Sequence, residues 1–248
     1  MKVLATYNIK GGVGKTSAAV NVAALGAADG LRTLLWDLDP QGAASFLFRV
    51  RPKVKGGGRK LVRGKSDITD LLRGTDVEGL DLLPADFSYR HMDLALDDTG
   101  KPTRRLKRVL EPVADHYDLA VLDCPPSISL VSESVFEAAD TLLVPLIPST
   151  LTMRTFEQLD EFVEERVSHP PDILAFFSMV DRRKRLHRQV VESFPIDRTD
   201  VARTAIPAAT EVELMGVRRA PVVVDRPHSR AGRAYRGLWS EVRARLAI

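Results

Sequence analysis

Lys10-Gly11-Gly12-Val13-Gly14-Lys15-Thr16 gathers three glycines, two lysines and a hydroxyl into seven residues. Glycines let successive backbone N–H groups converge on phosphate oxygens with no Cβ in the way. Lys15 has the reach to meet β- and γ-phosphates, and the Thr16 hydroxyl is a ligand for Mg²⁺. Gly11, Gly12, Val13, Gly14, Lys15, Thr16 and Ser17 are therefore the candidate nucleotide contacts. The pattern departs from an ordinary phosphate loop at its first letter. Ile9 stands where the leading glycine belongs, and a second lysine, Lys10, opens the loop. Two acidic stretches are candidates to complete the site. Asp37 and Asp39 lie in Trp36-Asp37-Leu38-Asp39-Pro40-Gln41-Gly42, and Asp123 closes the run Leu-Ala-Val-Leu-Asp at 119–123. A carboxylate ending a buried strand beside a phosphate loop holds Mg²⁺ through water. Alone, such a residue is more often a turn or helix cap.

These residues need a scaffold that brings distant segments to one edge. Apolar runs at 3–7, 31–37, 80–84, 119–123, 141–147 and 173–180 read as strands. Several are too continuous for half-exposed antiparallel strands and fit strands buried on both faces. Helical patterns separate them, at 17–28, around 131–139 and at 156–167. Strands alternating with helices predict an α/β fold of the P-loop NTPase kind: a doubly wound, mostly parallel sheet with helices on both faces. One domain is expected over residues 1–248. A basic insertion is expected at about 49–66, made flexible by the glycines at 56–58.

Composition limits the alternatives. In 248 residues, 44% hydrophobic content supplies a core, and no run of eighteen apolar residues spans a membrane. The first residues lack a signal-peptide apolar region. Cys124 is the single cysteine, so no internal disulfide or Cys-rich metal cluster forms within one chain, and it reads as a buried neighbour with no redox role. The net charge of +3 conceals an asymmetry. Residues 49–65 carry eight basic residues and no acid, and residues 180–248 carry fifteen basic against eight acidic. Basic regions on an acidic body suggest a polyanion-binding face, although a charge run is also an ordinary solvated loop. Arg182, Arg183, Lys184, Arg185, Arg188, Arg218 and Arg219 are the candidate phosphate contacts to DNA.

The KGGVGKT segment resembles that of the deviant P-loop ATPases, the branch holding ParA/Soj partition proteins, MinD and the nitrogenase iron protein. The likeness continues through the DLDPQG segment at 37–42, residues 145–159, residues 179–183 and Ala205-Ile206-Pro207. It covers about residues 1–240. It implies ATP and Mg²⁺ as cofactors, with Lys10, Lys15 and Asp39 catalytic. Lys10 would reach a partner's nucleotide across a dimer, and Asp39 would position the attacking water. Asp37 would lie near the metal with Thr16 and Asp123, and Pro207 near the adenine. The resemblance further implies an ATP-dependent homodimer that binds DNA without sequence preference. A ParB-like or cargo-adaptor protein would stimulate a slow ATPase, in the cytoplasm on the nucleoid. The first strand begins at residue 2, which resembles the small chromosomal form without an operator-binding extension. Departures are Ala208, residues 211–224 and the basic insertion.

A MinD-like membrane-cycling reading needs a free amphipathic C-terminal helix. Tyr235, Leu238, Trp239, Val242 and Leu246 have the spacing, with arginines between, but such a stripe more often docks as core. The iron protein bridges its cluster with two cysteines per subunit, which one cysteine excludes. Dethiobiotin-synthetase-like ligases share the fold, and the DLDPQG segment argues against them.

Overall fold

The computed structural model describes residues 1–248. Seven strands form one sheet: β1 (Lys2–Thr6), β2 (Thr33–Asp37), β3 (Arg73–Gly74), β4 (Leu80–Leu83), β5 (Leu119–Asp123), β6 (Thr141–Leu146) and β7 (Asp172–Phe177). Their order is β3-β4-β2-β5-β1-β6-β7, and only the short edge strand β3 runs antiparallel. The expected doubly wound parallel sheet is therefore observed.

The buried parallel strands alternate their side chains between two cores, as the period of two requires. Val3, Ala5, Leu34 and Trp36 enter one apolar cluster, while Leu4 and Leu35 enter the other. The first cluster is covered by α3 (Gly57–Val62), α4 (Met92–Asp97), α5 (Arg105–Leu110), α6 (Leu130–Ala138), α7 (Thr150–Arg166) and α8 (Arg185–Ser193). The second is covered by α1 (Lys15–Ala28), α2 (Ala43–Leu47), α10 (Met215–Arg218), α11 (Val222–Asp225) and α12 (Arg230–Leu246), with the single turn α9 (Thr210–Glu213) beside it.

The C-terminal stripe is core. Tyr235, Leu238, Trp239, Val242 and Leu246 are all buried against α1 and the sheet. Trp239 Nε1 donates to Asp29 Oδ2 at 2.8 Å, tying α12 to the end of α1. This leaves the apolar face that a membrane-cycling helix would need inside the protein. No helix is long and apolar enough to cross a membrane.

Within residues 49–66, where a flexible basic insertion is expected, part of the chain is helical and packed. Val54, Leu61 and Val62 are buried in the first core, and residues 57–62 form α3. The glycines there serve close packing. A Cβ on Gly58 would lie 2.6 Å from the Tyr89 ring, and one on Gly57 would lie 2.9 Å from Ser88 Oγ. Gly56 and Gly57 hold φ of 89° and 70°, left-handed values that favour glycine.

Candidate active site

The strand order sets β5 between β1 and β2, with Thr6 in register with Asp123 and Asp37 in register with the same residue. Loops leaving the C-terminal ends of these strands therefore converge, the usual place for a ligand in such sheets. The loop after β1 turns on Gly12 (φ 70°) and Gly14 (φ 98°), and Gly14 is the N-cap of α1. No side chain caps that helix and no acidic residue lies in its first turn, so its N–H groups are free to meet an anion. Asn8 braces the loop: its Nδ2 donates to the Pro145 carbonyl at 2.8 Å, and its Oδ1 accepts from Lys10 N–H at 2.9 Å. Gly14 is pressed against β7, because a Cβ there would stand 2.8 Å from Ser178 Oγ.

Lys15 is buried, and its ammonium donates to the Lys10 carbonyl at 2.9 Å. Burial lowers its pKa, opposed by the attraction of Asp123 and, less, of Cys124 and Asp39. Beside it lie two fully buried carboxylates. Asp37 Oδ2 accepts from Ser45 N–H and Ser45 Oγ, both at 2.7 Å, and Asp37 Oδ1 has no partner. Asp123 Oδ1 accepts from Thr6 Oγ1 at 3.4 Å, and its Oδ2 has no partner. Burial pushes Asp37 up to about 6, and burial with the neighbouring Asp37 pushes Asp123 well above the usual carboxylate range. Unpartnered buried carboxylate oxygens are costly unless a cation meets them. These two oxygens, next to Thr16, fit Mg²⁺. No group of three His, Cys, Asp or Glu side chains gathers here. That suits Mg²⁺, which keeps waters and takes phosphate oxygens instead of an all-protein cage.

Asp39 sits half-buried in the turn after β2, where its Oδ1 accepts from Gln41 N–H at 2.9 Å. The Lys10 side chain is half-exposed and enters no ion pair. Pro207 is buried and bridges to Val180, three residues past β7, so it lies near the Ser178 side of the loop. Gly11 and Gly12 are exposed, Val13 is buried, and Thr16 and Ser17 line a cavity of about 550 Å³ with Gln41, Phe46, Met215 and Arg219. Cys124 is buried and donates weakly to the Leu122 carbonyl at 3.7 Å. Residues that sequence motifs did not single out are Thr6, Asn8, Ser45 and Ser178. Asn8 alone had a local signal, its place beside the loop.

The basic candidates fall into two separate groups. Arg182, Arg183, Lys184, Arg185 and Arg188 are exposed on the turn after β7 and on α8. Arg183 pairs with Asp181 at 3.0 Å, and Arg188 donates to the Arg182 carbonyl at 2.7 Å. Arg218 and Arg219 lie at α10, packed on α2. Arg218 pairs with Asp225, and Arg219 donates to the Phe46 carbonyl at 2.9 Å while covering the Phe46 ring. No hydrogen bond or ion pair joins the two groups.

Residues 1–172 match the model of a family described as AAA domain. The chain is 33% identical over 249 residues to the sporulation initiation inhibitor protein Soj of Bacillus subtilis, covering 98% of each. Among solved structures, cobyrinic acid a,c-diamide synthase of Mycobacterium smegmatis, with an ATP analogue and magnesium, superimposes with a TM-score of 0.82. It is 25% identical, over 98% of this chain and 94% of that one. An ATP complex of Cyanothece McdA superimposes at 0.84, with 18% identity, over 100% of this chain and 97% of that one, a likeness of fold.

Proposed function

The chain belongs to the Soj/ParA family of partition ATPases, and on that footing we propose an ATP- and Mg²⁺-dependent positioning cycle for it. ATP drives formation of a homodimer, and the dimer binds DNA without sequence preference. A ParB-like or cargo-adaptor protein stimulates slow hydrolysis and release, so that DNA or another large cargo is moved or held in place. The observation that carries this reading is the pair of unpartnered oxygens on Asp37 and Asp123 beside Lys15.

The placement of the residues supports the following roles. Backbone N–H groups of residues 11–16 hold phosphate oxygens at the uncapped start of α1. Lys15, steered by the Lys10 carbonyl, sets its ammonium against their charge. Thr16, Asp37 and Asp123 would hold Mg²⁺, which when bound would offset charge on the phosphoryl oxygens. Ser45 orients Asp37 through two hydrogen bonds and leaves its other oxygen for the metal side. Asp39, fixed by the turn to Gln41, orients the attacking water and accepts its proton. Lys10, its ammonium uncommitted within the chain, reaches the partner's nucleotide, and Pro207 backs the adenine.

Binding to random-sequence duplex DNA, measured with ATP, ADP and no nucleotide across a salt series, tests the reading. ATP-dependent, salt-sensitive binding is expected. Absence of DNA binding in every state would overturn it. The Asp39→Ala protein should bind ATP and dimerise by light scattering while releasing no phosphate. Hydrolysis at the wild-type rate would remove Asp39 from its role.

A further inference from the structure

A second concentration of unpaired cationic charge lies at the β3 edge of the sheet, opposite the β7 edge that carries residues 182–188. Four of the six residues around a cavity of about 530 Å³ are basic: Arg51, Lys53, Lys55 and Arg73, with Val50 and Gly74 completing it. All four basic residues are exposed, and none enters an ion pair. Arg73 donates only to the Asp70 and Leu72 carbonyls, through one nitrogen. The carboxylate beside Lys53, Asp86, is already engaged by Val54 N–H and Ser88 N–H. Among the seven candidates, Arg182, Lys184 and Arg185 are likewise unpaired, while Arg183 and Arg218 are paired with acids and Arg219 is held by a backbone carbonyl.

The cradle is built. Buried Val54 anchors the chain between Lys53 and Lys55, and β3 fixes Arg73 against β4. Confining four like charges around one concavity raises the field there and favours an anion. We infer that the cradle of Arg51, Lys53, Lys55 and Arg73 is a second site for the phosphate backbone of duplex DNA, distinct from the 182–188 cluster. An acidic protein partner fits less well, because specific protein interfaces carry an apolar core and the sole apolar lining residue is Val50. Backbone phosphates, closely spaced and needing no apolar contact, match a lining that is almost wholly cationic. The inference rests on the reading that this chain binds DNA. It adds one feature: all four residues come from a single chain, so the cradle works without a dimer.

The test compares wild type with a Lys53→Gln/Lys55→Gln/Arg73→Gln protein on a random-sequence duplex, with ATP and with ADP, from 50 to 200 mM salt. Vesicles containing phosphatidylserine run in parallel. Melting temperature and basal ATP hydrolysis should be unchanged, since these side chains stand outside the core and the active site. Three lost phosphate contacts lower the log–log salt slope by about 2.7, so the fall in affinity over this range should shrink by about 40-fold. The loss should appear in ADP as well as ATP. Equal affinity and slope for the two proteins would overturn the cradle and leave the partition cycle intact. Cradle-dependent binding with no response to ATP would sink the cycle and keep the cradle. Wild-type retention on vesicles without DNA binding would refute both.

Discussion

Gly14→Ala probes the part of the site that geometry constrains most. The residue holds φ of 98°, and an added Cβ would lie 2.8 Å from Ser178 Oγ. The left-handed conformation costs a non-glycine residue about 1–2 kcal/mol, and overpacking against a buried neighbour about 1–3 kcal/mol more. Ser178 is buried and its N–H donates to the Leu146 carbonyl at 2.8 Å, so it yields little. The total, about 2–5 kcal/mol, shows up in one of two places. If the loop keeps its shape, the unliganded protein loses stability. If the loop relaxes, the fold is spared and nucleotide binding carries the cost of restoring it. Urea unfolding of the unliganded protein and titration with a fluorescent, non-hydrolysable ATP analogue together capture both, and the two losses should sum to that range. Ser178→Ala alone should be nearly silent, because Ser178 Oγ makes no hydrogen bond and the next nearest atom, Ser178 Cβ, lies 3.9 Å from the added Cβ. Combined with Gly14→Ala it should recover the contact portion, about 1–3 kcal/mol, and leave the backbone cost. A Gly14→Ala protein with unchanged stability and unchanged affinity would refute the argument.

Other consequences are simpler. Lys10→Ala should keep nucleotide binding within a few fold, because its carbonyl still holds Lys15, while weakening the ATP-bound dimer in analytical ultracentrifugation. An undiminished dimer would count against a role in trans. Trp239→Ala should cost about 3–5 kcal/mol in denaturant unfolding, from lost burial against α1 and the lost bond to Asp29. Less than about 1 kcal/mol would show that α12 is not integral to the core. Arg32 hydrogen bonds to Asp118 hold its carboxyl down at about 2. That stabilisation is present above the ordinary carboxylate value and fades as pH falls toward about 2. The stability gap between wild type and Arg32→Ala should therefore narrow on going from pH 7 to pH 2, and a constant gap would deny the pair any pH-linked part.

The strands were legible because parallel strands buried on both faces read as unbroken apolar runs. Residues 119–123 were bounded correctly for that reason. β3 left no such trace: Arg73 and Gly74 are both exposed, and the strand exists only through its pairing with Asp81 and Leu82. The same division holds at the site. Lys10 through Ser17, Asp37, Asp39 and Asp123 are local motifs and could be read. Ser45 acquires its role because Gly42, at φ 67°, turns α2 back onto Asp37. Ser178 acquires its role because β7 ends beside a loop 164 positions earlier in the chain. Neither is written in spacing.

The glycines at 56–58 show where composition misleads. A glycine is chosen for a conformation that other residues avoid, or for the space its missing Cβ leaves, and a sequence does not separate the two. Gly58 is of the second kind, since it admits the Tyr89 ring where a methyl group would stand 2.6 Å away. Reading the run as freedom turns a packed helix into a loop and its cations into solvated charge. Read as close packing, the same three residues seat α3 on the 87–91 turn, whose Asp86 holds Val54 in place. Lys53 and Lys55 then flank a fixed residue, and their charges converge with Arg73 instead of dispersing. A basic stretch converges on one surface when the chain beneath it is packed, and here the packing rests in part on Gly58, which admits the Tyr89 ring.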